Sequence, residues 1–299
     1  MNAAVNLLRR AGRANVRIEA RIPEDHPSSQ ILGTARIGSG TVIDPAGLIL
    51  TVNYVVLGAR SVKVALHDGN DLEGRTVAMD LTSGVALVRV SADDLPTLPL
   101  AASRELEIGD PIFVVASVGD GGCRVADGAV TSLAPFDANW EYTLDRAILS
   151  TALNPGLGGG ALVDRTGRAV GIVSLSLNAI GKFTLAIPAE CYLDYEGELL
   201  QHGRRSTLPS RAWLGVFCAT MRDHVVIAGL LPGAPADRAG LKAGDVILSI
   251  DGHDVATRRM LYEQIWTHQA GDSVTLKVYR DNEVRTVEVP TADADDFFS

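Results

Sequence analysis

Short apolar runs rich in Val, Ile and Leu, separated by Gly, Asp and Pro, dominate the chain from about residue 31 to Pro188. Residues 41–43, 48–52, 62–66, 85–90, 112–116 and 169–173 each have the length and β-branched content of a strand. Many short strands over this length predict a barrel or sandwich pair. Residues 4–18 fit either a short amphipathic helix or a strand, and the polar, Pro-containing stretch 23–30 reads as loop. Around residues 196–210 the composition turns polar with Gly and Pro, which predicts a linker. From Arg211 to Pro290 the pattern is two strands, a short helix near 234–239, a strand at 245–250, a longer helix over about 257–268 and two final strands. An acidic stretch, 291–299, closes the chain with Phe297-Phe298-Ser299.

Length and charge sharpen this picture. A chain of 299 residues is long enough for about two cores, and its 46% hydrophobic content supplies them. The net charge of −9 excludes a nucleic-acid backbone or an anionic membrane surface as the expected partner. Cys123, Cys191 and Cys218 are widely spaced, so neither a disulfide framework nor a metal site is expected, and no cofactor is implied. The first twenty residues scatter arginines among apolar positions, and no apolar run reaches the ~18–20 residues of a membrane span. The expectation at this point is a cytoplasmic protein.

A series of segments in fixed order carries a family resemblance. Residues 37–44, Ile-Gly-Ser-Gly-Thr-Val-Ile-Asp, are followed by Gly47-Leu48-Ile49-Leu50-Thr51, by Leu106-Glu107-Ile108-Gly109-Asp110, by Asn154-Pro155-Gly156 with Gly159-Gly160, and by Leu185-Ala186-Ile187-Pro188. Together they resemble the protease part of the HtrA (Deg) serine proteases. A second group, Trp213-Leu214-Gly215-Val216, the run from Gly233 to Ile247 and the turn Asp251-Gly252, resembles the PDZ module of that family. The resemblance implies a mostly β protein, a trypsin-like double six-stranded β-barrel over 31–195 followed by a PDZ domain over 211–290. It also implies self-association, although the aromatic residues near the barrel's start that serve HtrA trimers have no counterpart before Tyr54.

The departures fall on the chemistry. Where the resemblance calls for histidine, aspartate and serine, this chain has Tyr54, Gly84 and Gly158. Acyl transfer by this route needs a hydroxyl to attack, an imidazole to take its proton and a carboxylate to orient the imidazole. Glycine offers no nucleophile, and a phenol of pKa ~10 is a poor base at neutral pH. An inactive protease homologue is expected; the rival is an atypical serine endopeptidase recruiting Ser150, Ser174 or Ser176 with His26 or His67. The remnant of the oxyanion loop, Gly156 and Leu157 with the glycines after them, is either a concave anion-binding row of N–H groups or a permissive turn.

The PDZ resemblance implies recognition of C-terminal or extended peptides by β-augmentation, with loop N–H groups holding a terminal carboxylate. Trp213, Leu214, Gly215 and Val216 would form that loop, Phe217 and Cys218 would continue into the strand that a peptide extends, and Leu261 and Ile265 would contribute to the groove or simply to the core. Such a protein would act as a scaffold, a chaperone-like surface or a regulator of another enzyme. A further expectation puts the terminal Phe297-Phe298-Ser299 in that groove, of its own or of a neighbouring PDZ module.

Overall fold

In the computed structural model, which describes residues 3–119, 122–177, 181–207 and 209–299, twelve consecutive strands close into two six-stranded antiparallel barrels. The first contains β1 (Asn15–Arg21), β2 (Ala35–Asp44), β3 (Leu48–Val52), β4 (Ser61–Ala65), β5 (Asp71–Met79) and β6 (Val85–Val90), in the order β1-β2-β3-β6-β5-β4. The second contains β7 (Pro111–Ser117), β8 (Cys123–Asp137), β9 (Thr143–Ser150), β10 (Ala161–Asp164), β11 (Ala169–Leu177) and β12 (Phe183–Pro188), in the order β10-β11-β12-β9-β8-β7. Its interior is filled by Ile112, Val114, Val130, Ile148, Leu162 and Val173. Met1, Asn2 and Leu208, assigned from sequence to the N-terminal segment and the linker, lie outside the described residues.

The first barrel starts at Asn15 rather than near residue 31. In β1, Val16, Ile18 and Ala20 are buried between more exposed Arg17, Glu19 and Arg21, the period-2 pattern of a half-buried strand. This strand pairs with both β2 and β4, Ile18 facing Gly38 on one side and Val64 on the other, so the barrel cannot close without it. The preceding helix, Ala3–Ala14, buries Ala11 and Ala14 against Leu98, Val115 and Val163.

The expected linker is also partly structured. Helix Glu196–His202 buries Leu199, ends on left-handed Gly203, and is tied to β5 by the bond from Met79 N–H to the Gly203 carbonyl (2.8 Å). Arg205 then pairs with buried Asp80 at 2.7 Å. The chain accordingly divides into one unit of residues Met1–Pro135 with Leu144–Ser206, and a second of Phe136–Thr143 with Thr207–Ser299.

The second unit is a sheet of order β13-β14-β15-β17-β18, made by β13 (Val216–Met221), β14 (His224–Leu230), β15 (Val246–Ile250), β17 (Ser273–Arg280) and β18 (Glu283–Pro290); short β16 (His253–Asp254) pairs with β15. Helix Arg258–Ile265 starts at Thr257, whose side chain accepts from Met260 N–H. It presses Leu261, Tyr262 and Ile265 onto a core of Leu214, Val216, Ile227, Ile247 and Val278. The guanidinium of Arg280 forks onto buried Asp245 and holds that carboxyl below the usual range, against the opposing effect of burial. The C-terminal aromatics are not in the groove. Phe297 and Phe298 pack on the Trp213 ring, with centroids 4.9 and 5.7 Å away, and Ala292 pairs with the Trp213 backbone.

Because Ile18 is fully buried in a strand with partners on both sides, Ile18→Ala is expected to destabilise the first unit by about 2–5 kcal/mol in denaturant titration. An N-terminal segment outside the barrel would tolerate it.

Candidate functional site

Fully buried β3 runs directly into the four-residue helix Asn53–Val56, and the Asn53 N–H donates to the Gly84 carbonyl at 2.8 Å. Tyr54 and Gly84 thus share one corner of the first barrel. From there the Tyr54 hydroxyl crosses to the second barrel and donates to the Ser174 carbonyl at 2.7 Å. A Cβ placed on Gly158 would lie 2.0 Å from the Tyr54 oxygen. The phenol therefore fills the space that a side chain at residue 158 would need. Burial pushes its pKa up to about 12, outweighing the hydrogen bond to Ser174, so it stays neutral and its proton is committed to a carbonyl. Gly84 has φ +84°, a conformation in which an aspartate would be strained.

Three of the glycine loop's N–H donors turn into the protein. Gly156 N–H donates to Asn154 Oδ1 (3.1 Å), Leu157 N–H to the Ser117 carbonyl (2.9 Å) and Gly159 N–H to the Val173 carbonyl (2.7 Å), while the Gly158 carbonyl accepts from Ser39 N–H (2.7 Å). Donors committed in this way are not aimed at an anion, which favours the permissive-turn reading. The alternative nucleophiles are not assembled either. Ser150 is buried, Ser174 lends its carbonyl to Tyr54, and Ser176 and His67 are exposed. His26 instead approaches Ser28 (2.8 Å), a buried serine whose oxygen also accepts from Arg36 (2.6 Å).

In the second unit, three consecutive N–H groups converge on one carboxyl group. Leu214 N–H donates to Glu141 Oε1 at 2.8 Å, and Gly215 and Val216 N–H donate to Glu141 Oε2 at 2.8 and 3.2 Å. Gly215 makes this loop possible: its φ is +77°, and an added Cβ would lie 2.3 Å from that of Ala234. The residues before Glu141 pair antiparallel with β13. Trp140 bridges antiparallel to Phe217, and Cys218 N–H donates to the Asn139 carbonyl at 2.5 Å.

Comparison with known proteins agrees with this architecture. The trypsin-like peptidase domain family matches residues 38–172, and the PDZ domain family matches residues 212–291. The chain is a trypsin-like peptidase domain followed by one PDZ domain. Its homologues are DegP/HtrA serine endoproteases. One of them, a probable periplasmic serine endoprotease DegP-like of Halomonas elongata, is 33% identical over 278 residues, covering 86% of this chain and 56% of that protein. The chain thus spans a little over half the length of such relatives. Two solved structures share its fold: a serine endoprotease from Yersinia pestis (23% identity, TM-score 0.59, 99% of both chains) and an HtrA-type protease AlgW with tripeptide (25% identity, TM-score 0.60, 97% of both chains). The cytoplasmic expectation is overturned, since these relatives are named periplasmic endoproteases. A sequence without a visible leader had carried no information on that point.

On the PDZ helix, Leu261 and Ile265 are fully buried in the domain core. The polar contacts to the segment on β13 come instead from Tyr262, whose hydroxyl lies 2.9 Å from the Asn139 carbonyl and 3.2 Å from that of Ala138, and from Arg258, bonded to the Asn139 side chain. Arg259 pairs with Asp137 at 2.6 Å. Sequence reasoning missed Glu141, Tyr262 and Arg258. The available signal was an acidic residue between two aromatics, Trp140-Glu141-Tyr142, in a connection between strands.

Burial drives the Glu141 carboxyl from the usual 4.5 up to about 7, against three backbone donors that pull it down. The groups facing it are Tyr262 on the helix and Cys218 on β13, and burial lifts both well above neutral. A carboxyl whose docked pKa exceeds its free value docks best below the free value, and loses that advantage as pH rises through the docked one. The ratio of docked to free segment should fall by up to about tenfold per pH unit between about 5 and 7, read from the fluorescence of part-exposed Trp140. A flat profile across that window would contradict it.

At the other site, Gly158→Ser is expected to restore no reactivity towards a fluorophosphonate probe, and to lower stability by about 1–3 kcal/mol because the new Cβ overlaps the Tyr54 hydroxyl. Thermal unfolding together with probe labelling checks both halves.

Proposed function

We propose that this chain is a catalytically silent HtrA-type protein that works through peptide recognition by its PDZ domain, as a scaffold or regulator. The observation that carries the proposal is the Tyr54 hydroxyl, seated 2.0 Å from where a side-chain carbon of residue 158 would stand. No nucleophile, base or orienting carboxylate remains at the three positions, and backbone donors alone leave only ~10³–10⁴-fold acceleration over water. That is negligible beside an intact protease. The PDZ loop, in contrast, keeps three N–H donors in carboxylate-binding geometry. An HtrA-type neighbour with a tripeptide supports peptides as the ligand class.

The names of the relatives favour a second reading, an endopeptidase with substitute residues, and the His26–Ser28 contact is the geometry that would serve it. Ser28 is buried and its oxygen already faces Arg36 and the Leu57 carbonyl, so no substrate carbonyl reaches it. Purified protein is expected neither to cleave casein nor to be labelled by a fluorophosphonate, with intact-mass measurement as the readout. Stoichiometric modification of any serine would reverse this assignment.

A further inference from the structure

The Phe136–Thr143 segment lies between two barrel strands in sequence, yet it belongs to the second unit. It follows the course that an extended peptide takes in β-augmentation. Asn139 lies opposite Cys218, Trp140 opposite Phe217, and Glu141 reaches the N–H groups of residues 214–216, so the segment runs antiparallel to β13 and ends at the carboxylate loop. A peptide with a free C-terminus arrives with that polarity. Its terminal carboxylate would need the three donors that Glu141 already uses. The opposite wall of the groove contributes as well, through Tyr262 to two segment carbonyls and through the Arg259–Asp137 ion pair.

We infer that Phe136–Thr143 is an internal ligand of the PDZ domain, with the Glu141 side chain standing in for a C-terminal carboxylate, so that outside peptides bind only in exchange for it. The inference rests on the peptide-recognition reading above and adds what controls it. A segment anchored at both ends competes at an effective concentration of millimolar order. The apparent affinity of an external peptide is reduced by the fraction of time the groove stands open. The class of ligand admitted is therefore narrow: an extended segment with a carboxyl group at its leading end, either a free C-terminus or an acidic side chain at the tip of a turn.

The test uses the full chain and a fluorescein-labelled peptide of residues 135–140, ending in the free carboxylate of its last residue, with the C-terminal amide as control. Parent protein, Glu141→Ala and Asp137→Asn are compared by fluorescence anisotropy, and thermal unfolding reports that each stays folded. Glu141→Ala should bind the free-acid peptide at least about tenfold more tightly than the parent. Asp137→Asn, which breaks the segment's ion pair with Arg259 while leaving the three donors untouched and Arg259 open to the peptide's own aspartate, should gain about threefold and carries the test if Glu141→Ala does not fold. The amide should gain by the same factor and remain at least about tenfold weaker than the free acid in every protein. Equal affinity of parent and variants for the free acid would overturn the internal-ligand inference and leave peptide recognition standing. Equal affinity of the opened variants for acid and amide would overturn the exchange of carboxyl groups. No binding by any of the three proteins would overturn both this inference and the reading beneath it.

Discussion

Ser39, fully buried where the two barrels meet, is the residue on which the first unit's architecture turns. Its N–H donates to the Gly158 carbonyl, its own carbonyl accepts from the Thr51 hydroxyl, and its side-chain oxygen accepts from Ser117 N–H. Ser117 in turn donates to Asn15, which bonds back to the Gly40 carbonyl. Buried polar groups cost free energy unless they are paired, so a seam in which each group has its partner fixes the barrels in one register. The glycine loop is hung on that seam, and its position follows from it.

With the loop fixed, Tyr54 and Gly158 constrain one another. A phenol long enough to reach the Ser174 carbonyl leaves no room for a side chain at residue 158, and a side chain there would expel the phenol from its bond. Gly84, in a left-handed conformation, accepts the Asn53 N–H at the same corner. The PDZ domain shows the opposite behaviour. Its donors are retained and filled, and Gly215 is held both by backbone conformation and by the crowding of Ala234.

Most of this architecture is legible in sequence because the barrel strands are short, β-branched and punctuated by Gly and Asp. The first strand is not, since residues 3–14 follow a helical period and 15–21 a period of two with no Gly or Pro between them. The helix at Glu196–His202 was hidden by its polar face; a single buried leucine, Leu199, anchors it. At Tyr54, Gly84 and Gly158 the identities could be read, but not the bond from the Tyr54 hydroxyl to the Ser174 carbonyl, because Ser174 is 120 residues away. Glu141 was out of reach for the same reason. Its aromatic neighbours set it apart locally, but its three donors lie 73 to 75 residues downstream.

The position of Phe136–Thr143 also means that the PDZ domain is not a cassette. Chains of this kind are commonly imagined to diversify by exchanging whole domains at the connection between them. An exchange at residue 207 would bring in a carboxylate loop parted from the strand that fits it, and would strand Trp140 and Glu141 beside a groove they were not shaped for. The loop at 214–216 and the turn at 139–141 therefore act as two halves of one unit that happen to be written in distant parts of the same chain.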